Sequence, residues 1–132
     1  MSIDEHIAEA RRLHRKALEE FHRAESGEDG TLLRDACGKG WLATTEAANA
    51  LLLKKGIKEE ELPKTDRGRR YLVFQYAERE LELLYFTLRE GLHIEGYYDG
   101  SLGFDEVNRR LTDLDLYIQR IEELKECKPI SY

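Results

Sequence analysis

Four stretches of this chain repeat apolar residues in steps of three and four, and none alternates them at every second position. Each element able to build a core therefore reads as an amphipathic helix. The first, about Ile3 to Ala24, puts Ile3, Ile7, Ala10, His14, Ala17, Phe21 and Ala24 on one stripe, with Ser2 or Asp4 to cap its start and Ser26-Gly27 to end it. The second, about Thr31 to Lys55, is crowded with small residues: Ala36, Cys37, Gly38, Gly40, Ala43, Ala47, Ala48 and Ala50 accompany Leu33, Trp41, Leu51 and Leu52, and Gly56 supplies the stop. Gly38 and Gly40 each cost about 1 kcal/mol of helix propensity relative to alanine, so close packing or binding must offset them.

The third helix is expected from about Arg67 to His93. It places Tyr71, Phe74, Glu78, Leu81, Tyr85, Leu88 and Leu92 on one stripe, with Val73, Ala77 and Leu84 beside it. The fourth, about Phe104 to Glu126, repeats Phe104, Val107, Leu111, Leu114, Ile118, Ile121 and Leu124 until Pro129. Between the second and third, Gly56 to Asp66 reads as an ordered connector. One compositional regime over 132 residues predicts a single all-α domain, residues 1–132, and four such helices most simply pack as an antiparallel up-down four-helix bundle. Trp41, Phe74, Leu81, Leu84, Leu111, Leu114 and Ile118 are the expected core.

At 41% hydrophobic and 36% charged residues, the composition excludes disorder, and no apolar run approaches the roughly 20 residues of a membrane span. The segment from Met1 to His6 lacks the basic-then-apolar order of a signal peptide, which predicts a cytoplasmic protein without a membrane partner. Cys37 and Cys127 show no metal-ligand or redox spacing and are expected as free thiols. A net charge of −6 disfavours indiscriminate wrapping of nucleic acid but leaves room for a local basic patch.

The chemistry-bearing residues gather between Leu88 and Gly100, where the apolar pattern runs into a glycine-rich turn. Arg89 and His93, four apart near a helix end, could hold a phosphate and move a proton, and are the candidate catalytic pair. The plainer reading pairs Arg89 with Glu90 or Glu95 and sets His93 at the helix C-terminus. Tyr97, Tyr98 and Asp99 are candidates for ligand binding, the tyrosines by stacking on a base, whereas Tyr71 and Tyr85 are expected to pack. Arg15 and His22, seven apart on the first helix, align as any two surface residues would. His14 and Glu78 fall on apolar stripes, too few for a metal site, so no metal and no cofactor is expected.

Lys64, Arg67, Arg69 and Arg70 crowd the start of the third helix, where cations oppose the dipole and a bound anion would relieve them. Arg67, Arg69 and Arg70 are therefore further ligand-binding candidates, set against an ion-pair network with Glu59, Glu60 and Glu61.

The order of elements, the alanine-rich helix carrying Trp41, the basic run from Lys64 to Tyr71, and Leu92-His93-Ile94 followed by Gly96-Tyr97-Tyr98-Asp99-Gly100 resemble the HEPN-like helical families. The likeness is greatest to a poorly characterised prokaryotic branch that includes archaeal repeat-associated proteins. The resemblance implies a helical bundle, often homodimeric, engaged in nucleotide or RNA transactions, some relatives being RNases and others partners of a nucleotidyltransferase. The nuclease members resemble one another in an arginine and a histidine separated by four to six residues; Arg89 and His93 have three between them. The expected function is thus a non-catalytic binding module, with a metal-independent RNase using Arg89 and His93, or a purely structural oligomer, as alternatives.

Overall fold

The computed structural model describes residues 1–127. Five α-helices, a short 3-10 turn and a π-helical segment make up the fold, and no strand occurs among the described residues. Helix α1 (Ile3–Gly27) starts at Ser2, whose hydroxyl accepts from the Glu5 amide while the Glu5 carboxylate accepts from the Ser2 amide, a reciprocal cap. It ends at Glu28, the one non-glycine residue in the left-handed region among those described. Asp29 then caps α2 (Gly30–Lys54) by accepting from the amides of Thr31 and Leu32. With only Glu28 and Asp29 between them, α1 and α2 form a helical hairpin.

Helix α5 (Phe104–Glu123) returns along both. His14 donates Nε2–H to the Leu111 carbonyl (3.1 Å), and Arg11, a turn earlier, pairs with Asp115 (2.6 Å), so α1 and α5 run oppositely. At the far end the buried Lys54 ammonium donates to the carbonyls of Ile121, Glu122 and Leu124, each at 2.9 Å. It satisfies the orphan acceptors of the α5 C-terminus, and α5 accordingly ends at Glu123 rather than near Glu126. Pro129 lies outside the described residues.

The small residues of α2 find their reason here. A side chain at Gly40 would meet Leu111 and Leu92 at 3.1 Å, and one at Gly38 would meet the Tyr97 ring at 2.9 Å. Helix α2 thus lies at the centre of the packing, with Ala36, Ala43, Ala47, Ala48 and Ala50 all buried. This close approach takes place within the chain.

The expected third helix is broken. Helix α3 (Asp66–Tyr76) stops at Ala77, and both Ala77 and Glu78 have extended backbone before α4 (Arg79–Leu88) begins. Glu78 is exposed at the break and pairs with Lys55, so it belongs to no apolar stripe. The break turns α3 outward: Val73 is its one buried residue, while Tyr71 is 63% and Phe74 65% exposed. Both were expected to pack, and the stripe assigned to them assumed a straight helix. Leu84 is half-buried against the core; Trp41, Leu81, Leu111, Leu114 and Ile118 are buried as expected.

Beyond α4 the chain does not turn at once. Residues Arg89–Tyr98 continue as a π-helical segment, closed by the Asp99 amide donating to the Ile94 carbonyl (2.9 Å). The turn expected after His93 comes only at Gly100, which adopts φ 62°. Gly96 permits the wide coil to lie on α2, because a Cβ there would sit 2.6 Å from the Cys37 sulfur.

Leu81→Ala and Leu114→Ala should each cost about 2–5 kcal/mol in urea unfolding through lost volume and a residual cavity. Phe74→Ala should stay within about 0.5 kcal/mol of wild type, as surface changes do. A large loss at Phe74 would contradict the outward-turned α3.

Candidate functional site

Asp66 opens α3 as the single carboxylate among four cations between residues 64 and 77. Thr65 caps the helix by accepting from the Gly68 amide (3.0 Å), which leaves the Asp66 side chain free to face α4. There its Oδ2 accepts from two nitrogens of the Arg89 guanidinium, Nε and Nη2, both at 2.9 Å. Arg89 also donates to Glu90 (2.9 Å) and is raised above its ordinary value chiefly by the Asp66 bond. Arg70, one turn along α3, lies 3.8 Å from the same Oδ2. One carboxylate therefore joins the two regions singled out in the sequence, the basic start of α3 and the end of α4.

The Nε atoms of Arg69 and Arg70, the Asp66 Oδ1 and the hydroxyls of Tyr85 and Tyr117 are buried without hydrogen-bond partners. Tyr85 is fully buried, and its phenol is pushed up to about 12 by that burial, opposed by the nearby Arg69 cation. Tyr117, also fully buried, is raised well above its ordinary value by the same cause. Unpaired buried donors are costly unless something accepts from them. Arg67 is exposed. Of the network weighed between this run and Glu59, Glu60 and Glu61, Glu59 takes other partners, accepting from His6 (3.1 Å) and the terminal amine (3.1 Å).

His93 takes different partners from Arg89. Its ring stacks on Trp41 (centroids 4.7 Å apart, planes at 15°) and meets Tyr98, five residues on, edge-to-face at 5.0 Å. In a π-helical coil residues five apart come together, so the segment that carries His93 aligns it with Tyr98. Burial lowers the His93 imidazole below its ordinary range, with Asp66 opposing and Arg89 reinforcing. Beside it opens a cavity of about 370 Å³ lined by Asp35, Lys39, Trp41, Leu42, His93 and Tyr97. Arg34 fixes this rim by donating to the carbonyls of Tyr97 (2.8 Å) and Tyr98 (2.8 Å). Tyr97 and Tyr98 are exposed, and Asp99 is an exposed residue closing the π-helical segment. A wider cleft of about 680 Å³ on the α5 side carries Glu90, Glu95, Asp105 and Glu106, a poor setting for an anion despite Arg109 and Arg110.

Sequence reasoning found Arg69, Arg70, Arg89, His93 and Tyr97 but missed Asp66 as their organiser and Trp41 as the platform for His93. The signal for Asp66 was its isolation among cations. For Trp41 the sequence held none, because the contact depends on the path of the π-helical segment. Cys37 is buried, with its thiol pushed up to about 11 by burial, and Cys127 is exposed; both are free thiols. No group of three or more metal-ligating side chains occurs among the described residues, and no described helix is long and apolar enough to cross a membrane.

His14 is also lowered, by burial first, against the raising effect of its bond to Leu111. Each of these two histidines holds a proton more weakly folded than unfolded. Their contribution to stability is thus complete above an unfolded pKa of about 6.5 and declines as pH falls from there toward the depressed folded values. Between about pH 7.5 and 5.5, wild type should lose more melting temperature than a His14→Gln/His93→Asn variant. Equal losses would contradict the assignment.

The model of the archaeal PaREP1/PaREP8 family matches residues 5–117, most of the chain, and the protein belongs to that family. No curated protein matches it.

Proposed function

We propose that this PaREP1/PaREP8 protein is a non-catalytic binding module that recognises the phosphate of a nucleotide or RNA at the start of α3. The observation that carries the reading is the Asp66 cluster: Arg70 and Arg89 share one carboxylate, the Nε atoms of Arg69 and Arg70 are buried without a hydrogen-bond partner, and an exposed Arg67 stands beside them. Guanidinium forks and a helix N-terminus are both suited to phosphate oxygens. The neighbouring cavity between Trp41, His93 and Tyr97 is of a size to receive a base.

The same geometry argues against nuclease chemistry. In-line attack needs a phosphate-holding arginine and a proton-moving histidine facing one reacting group. Arg89 is held by two carboxylates, while His93 is stacked between Trp41 and Tyr98. The architecture favours a HEPN-like bundle in which α1, α2, α5 and the combined α4 and π-helical rod run up and down, with α3 folded on the outside. A homodimer and a nucleotidyltransferase partner belong to this reading and come from the resemblance.

Fluorescence anisotropy with labelled single-stranded RNA across a salt series tests it. Arg67→Gln, Arg69→Gln and Arg70→Gln together should weaken binding and flatten its salt dependence, since fewer phosphate contacts release fewer counterions. Unchanged affinity and slope would assign the arginines to the fold alone. RNA incubated with the protein in EDTA should remain intact. Cleavage lost in both Arg89→Ala and His93→Ala, with melting temperature preserved, would overturn the non-catalytic reading.

A further inference from the structure

The outer face of α3 carries two large aromatic side chains that no described residue covers. Tyr71 is 63% and Phe74 65% exposed on a helix whose buried side is Val73. Arg67 precedes Tyr71 by four residues and Arg70 precedes Phe74 by four, so each ring has a guanidinium one turn before it on the same face. Single exposed apolar residues are ordinary, but paired rings interleaved with cations form a patch of defined chemistry.

Charge selects the occupant. The protein bears a net charge of −6, yet residues 64 to 77 hold four cations and one carboxylate. A second copy docked on this face by a two-fold axis would bring the same arginines against one another, which like-charge repulsion opposes. A polyanion with flat apolar groups complements both features. Duplexes hide those base faces in their stack, whereas single strands present them.

We propose that the exposed face of α3 is a stacking platform for single-stranded nucleic acid, with Tyr71 and Phe74 taking bases while Arg67 and Arg70 take the phosphates between them. The inference rests on the phosphate reading and adds the class of ligand. The two rings stand at neighbouring positions of one helix face, about 5–6 Å apart at Cβ, and so receive neighbouring bases. Stacking of this kind tolerates any base, since each has a π-face.

Three fluorescein-labelled probes test it by anisotropy: oligouridine, oligothymidine and an abasic chain of equal phosphate number, each of about ten units, within the usual site sizes of such surfaces. Wild type should bind a base-bearing chain more tightly than the abasic one, with the preferred sugar identifying RNA or DNA. Tyr71→Ala and Phe74→Ala should each weaken base-bearing chains about 5- to 150-fold. They should leave abasic binding, the salt slope and the melting temperature unchanged. Equal wild-type affinity for base-bearing and abasic chains would overturn the platform while the phosphate reading stands. Failure to bind any probe would overturn both. A wild-type dimer in sedimentation that Tyr71→Ala or Phe74→Ala dissociates would assign the face to a second copy and overturn the platform.

Discussion

The fold depends on how closely its other elements can approach α2. Gly38 faces the Tyr97 ring, Gly40 faces Leu92 and Leu111, and the alanines between Ala36 and Ala50 are buried. Interiors pack near crystal density, so an added methyl on such a surface must displace a neighbour. At Gly40 the neighbours are fully buried leucines from two other elements, with no solvent side to yield into. The helix-propensity cost of two glycines is thus offset by contacts that larger residues would prevent. The π-helical segment depends on the same surface, since its own Gly96 lies against Cys37.

A second constraint fixes α3. In one straight helix Asp66 and Arg89 would stand about 35 Å apart along the axis. Their bidentate contact at 2.9 Å requires the chain to fold back at Ala77 and Glu78. Lys55, at the end of α2, pairs with Glu78 at the break, and so the reversal is held at both ends by opposite charges. Neither proline nor glycine marks the position. The reversal has a cost in exposed surface, because it turns Tyr71 and Phe74 away from the core.

That balance explains what could be read from the amino-acid order. Helices α1, α2 and α5 were legible because each carries an uninterrupted apolar stripe and recognisable caps at Ser2, Gly56 and the acidic start at Asp105 and Glu106. The free cysteines and the burial of Leu81, Leu111, Leu114 and Ile118 followed from the same periodicity. Two features were not legible. The break at Ala77 arises from tertiary ion pairs involving Lys55 and Arg89, which local propensity does not encode. The widened coil at Arg89–Tyr98 arises from packing on α2, and an α-helical period fits its residues about as well as a π-helical one. Arg70, Arg89 and His93 were singled out, but Asp66 and Trp41 were not, and the meeting of Arg70 and Arg89 at Asp66 depends on the break.

The Asp66 region is where the chain departs most from rules obeyed elsewhere. Caps at Ser2, Asp29 and Thr65 satisfy helix N-termini, and Lys54 satisfies the end of α5. Around Asp66, by contrast, cations gather at a helix N-terminus against its dipole, and the Nε atoms of Arg69 and Arg70 are buried without hydrogen-bond partners. Natural chains keep such local conflicts mainly where function demands them. An anion at this point would supply the missing acceptors and relieve the dipole together, whereas a further carboxylate from the chain would quench the site. Glu59 and Glu78 are committed elsewhere, to His6 and Lys55, so that Asp66 and Glu90 are the carboxylates paired with Arg89 and the buried Nε atoms of Arg69 and Arg70 keep their donors.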